Sequence, residues 1–290
     1  MRSACIDIGS NTTRLLVADC DGSGGLREVD QQKVFTRIRR GMLDGDWIAP
    51  HKISEVVAAV AGQLRVARDL GSTEIHAVAT AAIRQAANGD ERVSAIREAC
   101  GLEVVVLTGE HEARLAFVGA ARTLGHVPDG ELGVVDVGGG SSELIVGTAP
   151  DAVRWCTSFA LGSGDLADDC LRSDPPSGRE LSDARARVVR ALKDLDAPHP
   201  TEAVAVGGSA ASLQRLAGPM LDAAAFNRSL ALLAADKAVD VAKRFALDVE
   251  RVRLLPAGLL ILQAASELMG ASLQIARGGL REGVLLEAAH

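Results

Sequence analysis

Tyrosine is absent from this chain, and all aromatic residues together make up 2% of its 290 positions. A core must then be assembled from Ala, Val, Leu and Ile, and a base-stacking platform for single-stranded nucleic acid is not expected. Cysteine is scarce and without pattern. Cys5, Cys20, Cys100, Cys156 and Cys170 are odd in number, and no two stand in a CxxC spacing. That spacing argues against a zinc or redox motif and fits buried, reduced thiols in a cytoplasmic protein. Long apolar runs are missing too. The longest lie around residues 254–262, too short to cross a bilayer, and the opening MRSACIDIGSN turns polar too early for a signal peptide. A cytoplasmic location with no membrane contact is the expectation. Positive charge is in deficit, with a net charge of -7, so the whole molecule repels polyanions and a general nucleic-acid binder is excluded. A phosphate-rich ligand would need local help from backbone N–H groups, a cation or a few placed arginines.

What is present is a repeat. Ile6-Asp7-Ile8-Gly9-Ser10-Asn11-Thr12-Thr13-Arg14-Leu15-Leu16-Val17 aligns without a gap on Val135-Asp136-Val137-Gly138-Gly139-Gly140-Ser141-Ser142-Glu143-Leu144-Ile145-Val146. In each, a β-branched strand carries one Asp, meets a turn of small residues and continues as a second apolar strand. Around each hairpin the pattern continues alike. The first is followed by a strand over 26–35, a helix over 50–70 opened by Pro and closed by Gly71, and a strand over 74–79. A helix from Asp90 to Gly101, a strand over 103–107 and a helix over 110–123 complete that half. The second half predicts strands over 132–137, 143–147 and 154–160, helices over 165–171 and 178–195, a strand over 203–206, and further helix. Strands alternating with helices imply an α/β protein of two similar domains, each a mixed sheet flanked by helices. The loop 125–130, with Pro128, divides the chain into 1–124 and 125–290, and the last helix is expected to return to the first domain.

In such a duplication the strand ends face each other across a cleft. Gly9, Ser10, Asn11 and Thr12 in the first turn, and Gly138, Gly139, Gly140, Ser141 and Ser142 in the second, let backbone N–H groups approach an anion closely. An Asp beside each turn would repel phosphate unless it holds a divalent cation, as Asp7 and Asp136 could through water. By the same residues each turn is also a plain hairpin, its Asp bonded to turn amides. Recurrence of the pattern favours the phosphate reading.

These residues resemble the exopolyphosphatase and guanosine pentaphosphate phosphohydrolase (Ppx/GppA) family of the acetate-kinase/sugar-kinase/Hsp70/actin superfamily. The resemblance rests on IDIGSNTTRLLV, VATAAIRQA, TGEHEARLAF, VVDVGGGSSELIVG, SFALGSGDLA, AVGGSAASLQRLA and LLPAGLLILQAASELMG through GGLREGVLL, in order along nearly the whole chain. It implies the short, two-domain form and hydrolysis of terminal phosphate from polyphosphate or guanosine pentaphosphate, with Mg²⁺ or Mn²⁺ as cofactor. The family also makes a homodimer one expectation. Glu112 falls on the family's catalytic glutamate and Arg84 on an arginine expected to contact phosphate. Asp7, Asp136 and Glu143 fall on the metal-associated acids, with Arg14 in the place of Glu143 in the first repeat. Arg37 is retained from a family stretch in which Arg39 and Arg40 replace Gly and Glu, a more basic version that could extend a track for a longer anion. Gly207, Gly208 and Ser209 open a helix whose amides could receive a further phosphate. His111 stands where a second Glu is usual. A superfamily kinase and a non-catalytic polyphosphate or alarmone sensor are the rival readings; the Glu112 motif speaks against the first, and the acids at 112, 136 and 143 against the second.

Overall fold

The computed structural model describes residues 1–21, 25–43 and 46–289. Nearly continuous buried runs form β1 (Arg2–Ile8) and β2 (Thr12–Cys20), and the more polar, more exposed β3 (Leu26–Phe35) completes a meander in the first half. A single 3₁₀ turn over Arg39–Gly41 and a short ribbon of β4 (Met42–Leu43) and β5 (Trp47–Ile48) follow. Helix α1 (Pro50–Asp69) begins on a proline, whose fixed φ suits the first turn and whose missing N–H would have had no partner there. Then come β6 (Glu74–Ala79), α2 (Ala81–Arg84), α3 (Gly89–Cys100), β7 (Val104–Val106) and α4 (Gly109–Thr123). The strands form one sheet in the order β3-β2-β1-β6-β7, with β6 parallel to β1 and β7 parallel to β6.

The second half repeats the meander as β8 (Leu132–Val137), β9 (Ser142–Thr148) and β10 (Ala152–Phe159). Helices α5 (Ser163–Cys170) and α6 (Gly178–Leu192) precede β11 (Glu202–Val206), which lies parallel to β8 as β6 lies parallel to β1. The chain continues through α7 (Gly207–Ala217), β12 (Met220–Leu221), α8 (Ala223–Ala235), α9 (Ala238–Phe245), α10 (Val249–Met269), β13 (Leu273–Ile275) and α11 (Leu280–Ala288). The second sheet has the order β10-β9-β8-β11-β13-β12. Both sheets are mixed and flanked by helices, as the alternation of elements predicts.

One expectation changes. Helix α10 is long and apolar enough, by length and composition, to cross a membrane, whereas the apolar run at 254–262 looked too short. About two thirds of its apolar stretch is buried inside the molecule. Its Leu254, Leu255, Leu259, Ile261 and Leu262 form the centre of the second core, packed on by α5 to α9.

Two helices exchange sides. Helix α4, from the first half, packs Ala113, Phe117 and Ala120 against Val134, Ile145 and Val204 of the second sheet. Helix α11, from the chain's end, packs Leu280, Val284 and Leu285 against Cys5, Leu16 and Ala18 of the first. The two helices touch where they meet. A Cβ on Gly119 would run into the carbonyl of Gly279, and one on Gly283 into that of Leu115.

Candidate active site

Register makes the two repeats geometrically equivalent. Asp7 pairs with Arg14 across β1 and β2, and Asp136 pairs with Glu143 across β8 and β9. Each turn closes by the same bond: the Gly9 N–H donates to the Thr12 carbonyl at 3.1 Å, and the Gly138 N–H to the Ser141 carbonyl at 3.0 Å. The turns meet across a cleft of about 600 Å³, where a Cβ on Gly139 would lie 3.0 Å from that of Asn11. The second turn is braced from behind, since the N–H groups of Ser163 and Gly164 donate to the carbonyls of Gly138 and Gly139, both at 2.9 Å.

Glu112 reaches the same cleft from the first turn of α4. That helix starts where it does because the Thr108 hydroxyl accepts the His111 N–H at 3.1 Å. Arg84 sits behind Glu112, donating from Nη1 to Glu112 Oε2 at 2.8 Å and to the Leu107 carbonyl at 2.7 Å. It therefore holds the glutamate and does not line the cleft. His111, one residue before, points away: its Nε2 is 3.3 Å from Glu287 Oε2 on α11.

Asp7, Glu112, Asp136 and Glu143 line the cleft together, and the buried Glu282 of α11 lines it too. Burial pushes Glu112 up to about 7, with Arg84 opposing and Asp7 and Asp136 adding to the rise. Burial likewise pushes Asp136 up to about 6, against the pull of Arg14. Glu143, 1% exposed, is pushed well above the carboxylate range by burial and then by Glu112 and Asp136. Asp7 is raised, again by burial first. Concentrated acid without a cation is costly in a dry site.

The cleft carries cations as well. Arg14 has only Nε bonded, to the Thr12 hydroxyl at 3.2 Å. Arg251, on α10 and 6% exposed, is lowered to about 10 by burial and by Arg14 beside it. Lys33, Arg277 and Arg281 also line the cleft. Gly207 and Gly208, at the start of α7, line it as well. At Gly207 φ is +83°, and a Cβ would strike Asp136 Oδ1, so glycine is required twice over. Sequence reasoning missed Lys33, Arg251, Arg277 and Arg281. Arg251 left a signal: a cation at the head of an apolar helix.

Besides Arg84, three expected residues are not brought to the cleft. Ser142 alternates with Glu143 along β9, so its hydroxyl turns inward and donates to the Leu161 carbonyl at 2.7 Å. Ser209 is buried on the inner side of α7, beneath Gly258 of α10. Arg37 leaves β3 through a left-handed residue, φ +46°, and its Nη2 lies 2.7 Å from Glu250 Oε2 in the other half.

The donor set suits a hard divalent ion. It is all oxygen, and Asp7 Oδ1 is buried with no hydrogen-bond partner. Among the described residues no three acidic, His or Cys side chains form a ready-made metal cage. Mg²⁺ does not require one, because it takes one or two carboxylates and fills its octahedron with water and phosphate oxygens.

Comparison with known proteins agrees with this geometry. The sequence profile of the Ppx/GppA phosphatase family matches residues 16–290. Exopolyphosphatase 1 of Mycobacterium leprae is 30% identical over 99% of this chain and 89% of its own length. Exopolyphosphatase 2 of Mycobacterium tuberculosis is 31% identical over 79% of this chain and 75% of its own. The crystal structure of the Aquifex aeolicus Ppx/GppA family member superposes with a TM-score of 0.82 at 27% identity, covering 99% of this chain and 97% of that one. An exopolyphosphatase from Cytophaga hutchinsonii superposes with a TM-score of 0.88 at 20% identity over 100% and 98% of the two chains, a likeness of fold.

Proposed function

The chain belongs to the Ppx/GppA phosphatase family, and from that membership we propose that it is an exopolyphosphatase, releasing the terminal phosphate of inorganic polyphosphate. The observation that carries this reading is the mixed charge of one cleft, which Asp7, Glu112, Asp136 and Glu143 line together with Arg14, Arg251 and Lys33. Such a cleft suits a linear polyanion, met by the cations directly and by the acids through a divalent ion. Among the described residues no aromatic side chain lines it, which gives a guanine no ring there to stack on. That favours polyphosphate over guanosine pentaphosphate.

Asp7, Asp136 and Glu143 would hold Mg²⁺ or Mn²⁺. The ion would neutralise the phosphoryl oxygens and lessen the mutual repulsion of the acids. Glu112 accepts a proton from water as the water oxygen bonds to the terminal phosphorus. The bridging P–O bond breaks, and the shortened chain leaves with the bridging oxygen. Arg84 keeps the Glu112 carboxylate aimed and favours its ionised form. The amides of the two turns and of Gly208 fix the phosphates in line.

The test is phosphate release from polyphosphate and from guanosine pentaphosphate, each with Mg²⁺ and with chelator. Glu112→Gln should stay folded and bind polyphosphate, yet lose 10²–10⁴-fold in kcat, the usual contribution of a general base. Retention of more than about a tenth of the parental kcat would remove Glu112 from that role. Full activity in chelator would remove the metal from the mechanism.

A further inference from the structure

The cross-strand rows that carry the acids extend one residue further on each wall. On the first wall the row is Asp7, Arg14, Lys33; on the second it is Asp136, Glu143, Ser158. The third position thus differs in chemistry between the repeats. Lys33 lengthens the cationic row, whereas Ser158 faces the one carboxylate that has no counterpart in the first half. Ser158 Oγ lies 2.8 Å from Glu143 Oε1, and since an ionised carboxylate only accepts, the hydroxyl donates.

Glu143 needs such a donor. It is 1% exposed and lines the cleft beside Glu112 and Asp136, so a fixed donor is what keeps its carboxylate in place. Ser141 in the turn is a second donor to the same carboxylate. A hydroxyl fixed on the neighbouring strand holds Oε1 and so sets how the carboxylate is turned. The space for that hydroxyl is reserved by α4. A Cβ on Gly109 would lie 2.7 Å from Ser158 Cβ and 2.9 Å from its Oγ, so only glycine at this place lets the helix and β10 close together. The helix that presents Glu112 three residues later therefore also clears the site of Ser158.

We propose that Ser158 is a positioning residue, acting through Glu143 to hold that carboxylate as a ligand for the divalent cation. The proposal rests on the metal reading of the acidic cluster given above. It does not depend on which polyphosphorylated substrate is hydrolysed.

The test begins with Mn²⁺ binding to the full, substrate-free chain, read by electron paramagnetic resonance. Ser158→Ala should raise the Mn²⁺ dissociation constant about tenfold, the lower end of what loss of a ligand's hydrogen-bond partner costs. In polyphosphate hydrolysis the half-saturating Mg²⁺ concentration should rise in parallel. At saturating Mg²⁺, kcat should stay within about threefold, because no group that touches phosphorus has been removed. Combined with Glu143→Gln, Ser158→Ala should weaken Mn²⁺ binding no further, since its effect passes through the residue already changed. An unchanged Mn²⁺ dissociation constant, a fully additive loss in the double variant, or a parent chain that binds no Mn²⁺ would each overturn the proposal. A parent that binds Mn²⁺ but releases no phosphate from polyphosphate overturns the substrate reading instead, and the binding arm still decides the role of Ser158.

Discussion

At the scale of single residues, the site is a balance between burial and charge. Glu112 and Asp136 are held at about 7 and about 6, above their ordinary 4.5 and 3.8. The folded, metal-free chain therefore keeps protons that the unfolded chain would release. Their contribution to stability is fully present below the ordinary values and is lost as pH rises through 6 and 7. Melting temperature in chelator should accordingly fall between pH 5 and pH 8, and Mg²⁺ should raise it more at pH 8 than at pH 5. A scanning fluorimetry grid of pH against Mg²⁺ reads both effects, and an equal Mg²⁺ shift at the two pH values would contradict the assignment. Catalysis runs the other way. Glu112 works as a base only when ionised, so kcat/KM should climb with pH through about 7 and then level off.

At the scale of elements, the crossing of α4 and α11 matters most. Helix α4 carries Glu112 but packs on the second sheet, and α11 packs on the first, so a movement of either half is felt at the base. Gly119 allows the contact, because any side chain there would meet the Gly279 carbonyl. Gly119→Ala should cost about 1–3 kcal/mol, the usual range for overpacking a tight contact. It should lower kcat as well, since relief requires α4 to shift. A variant that melts earlier in urea but keeps full kcat would separate the packing of α4 from the placement of Glu112.

At the scale of the whole molecule, three arginines that looked like a track for polyanion are engaged elsewhere. Arg37 pairs with Glu250 at 2.7 Å, Arg39 with Asp165 at 2.9 Å and Arg40 with Asp168 at 2.5 Å, each joining the segment after β3 to the second half. None lines the cleft. With the net charge at -7, little remains to hold a long chain beyond the cations of the cleft itself, Arg14, Lys33, Arg251, Arg277 and Arg281. Short chains should be preferred, with the enzyme letting go between successive cuts. Gel analysis of long polyphosphate at limiting enzyme should show intermediate lengths accumulating; full-length polymer and free phosphate alone would mean processive action. Arg40→Ala should leave KM for long chains within about twofold, because an exposed ion pair contributes 0–1 kcal/mol and the residue is not a substrate contact.

Much of this was legible in the sequence because it is local. Strand periodicity, the proline that opens α1, the glycine that closes α3 and the repeated Asp-plus-small-residue turn each depend on neighbours within a few positions. So the duplication, the two turns and the acids at 7 and 136 could be read directly, whereas Glu143 took its role from the family resemblance. Arg84 could be singled out but not placed, since its partner Glu112 is 28 residues away and only packing brings them to 2.8 Å. Facing direction was equally hidden. Ser142 and Ser209 sit within the right motifs, yet one strand residue's alternation and one helix side turn them inward. The exchange of α4 and α11, the recruitment of Arg251 from a core helix, and the tying of Arg37, Arg39 and Arg40 across the halves are long-range. They follow from which surfaces the two sheets bury against each other, and no spacing along the chain encodes that.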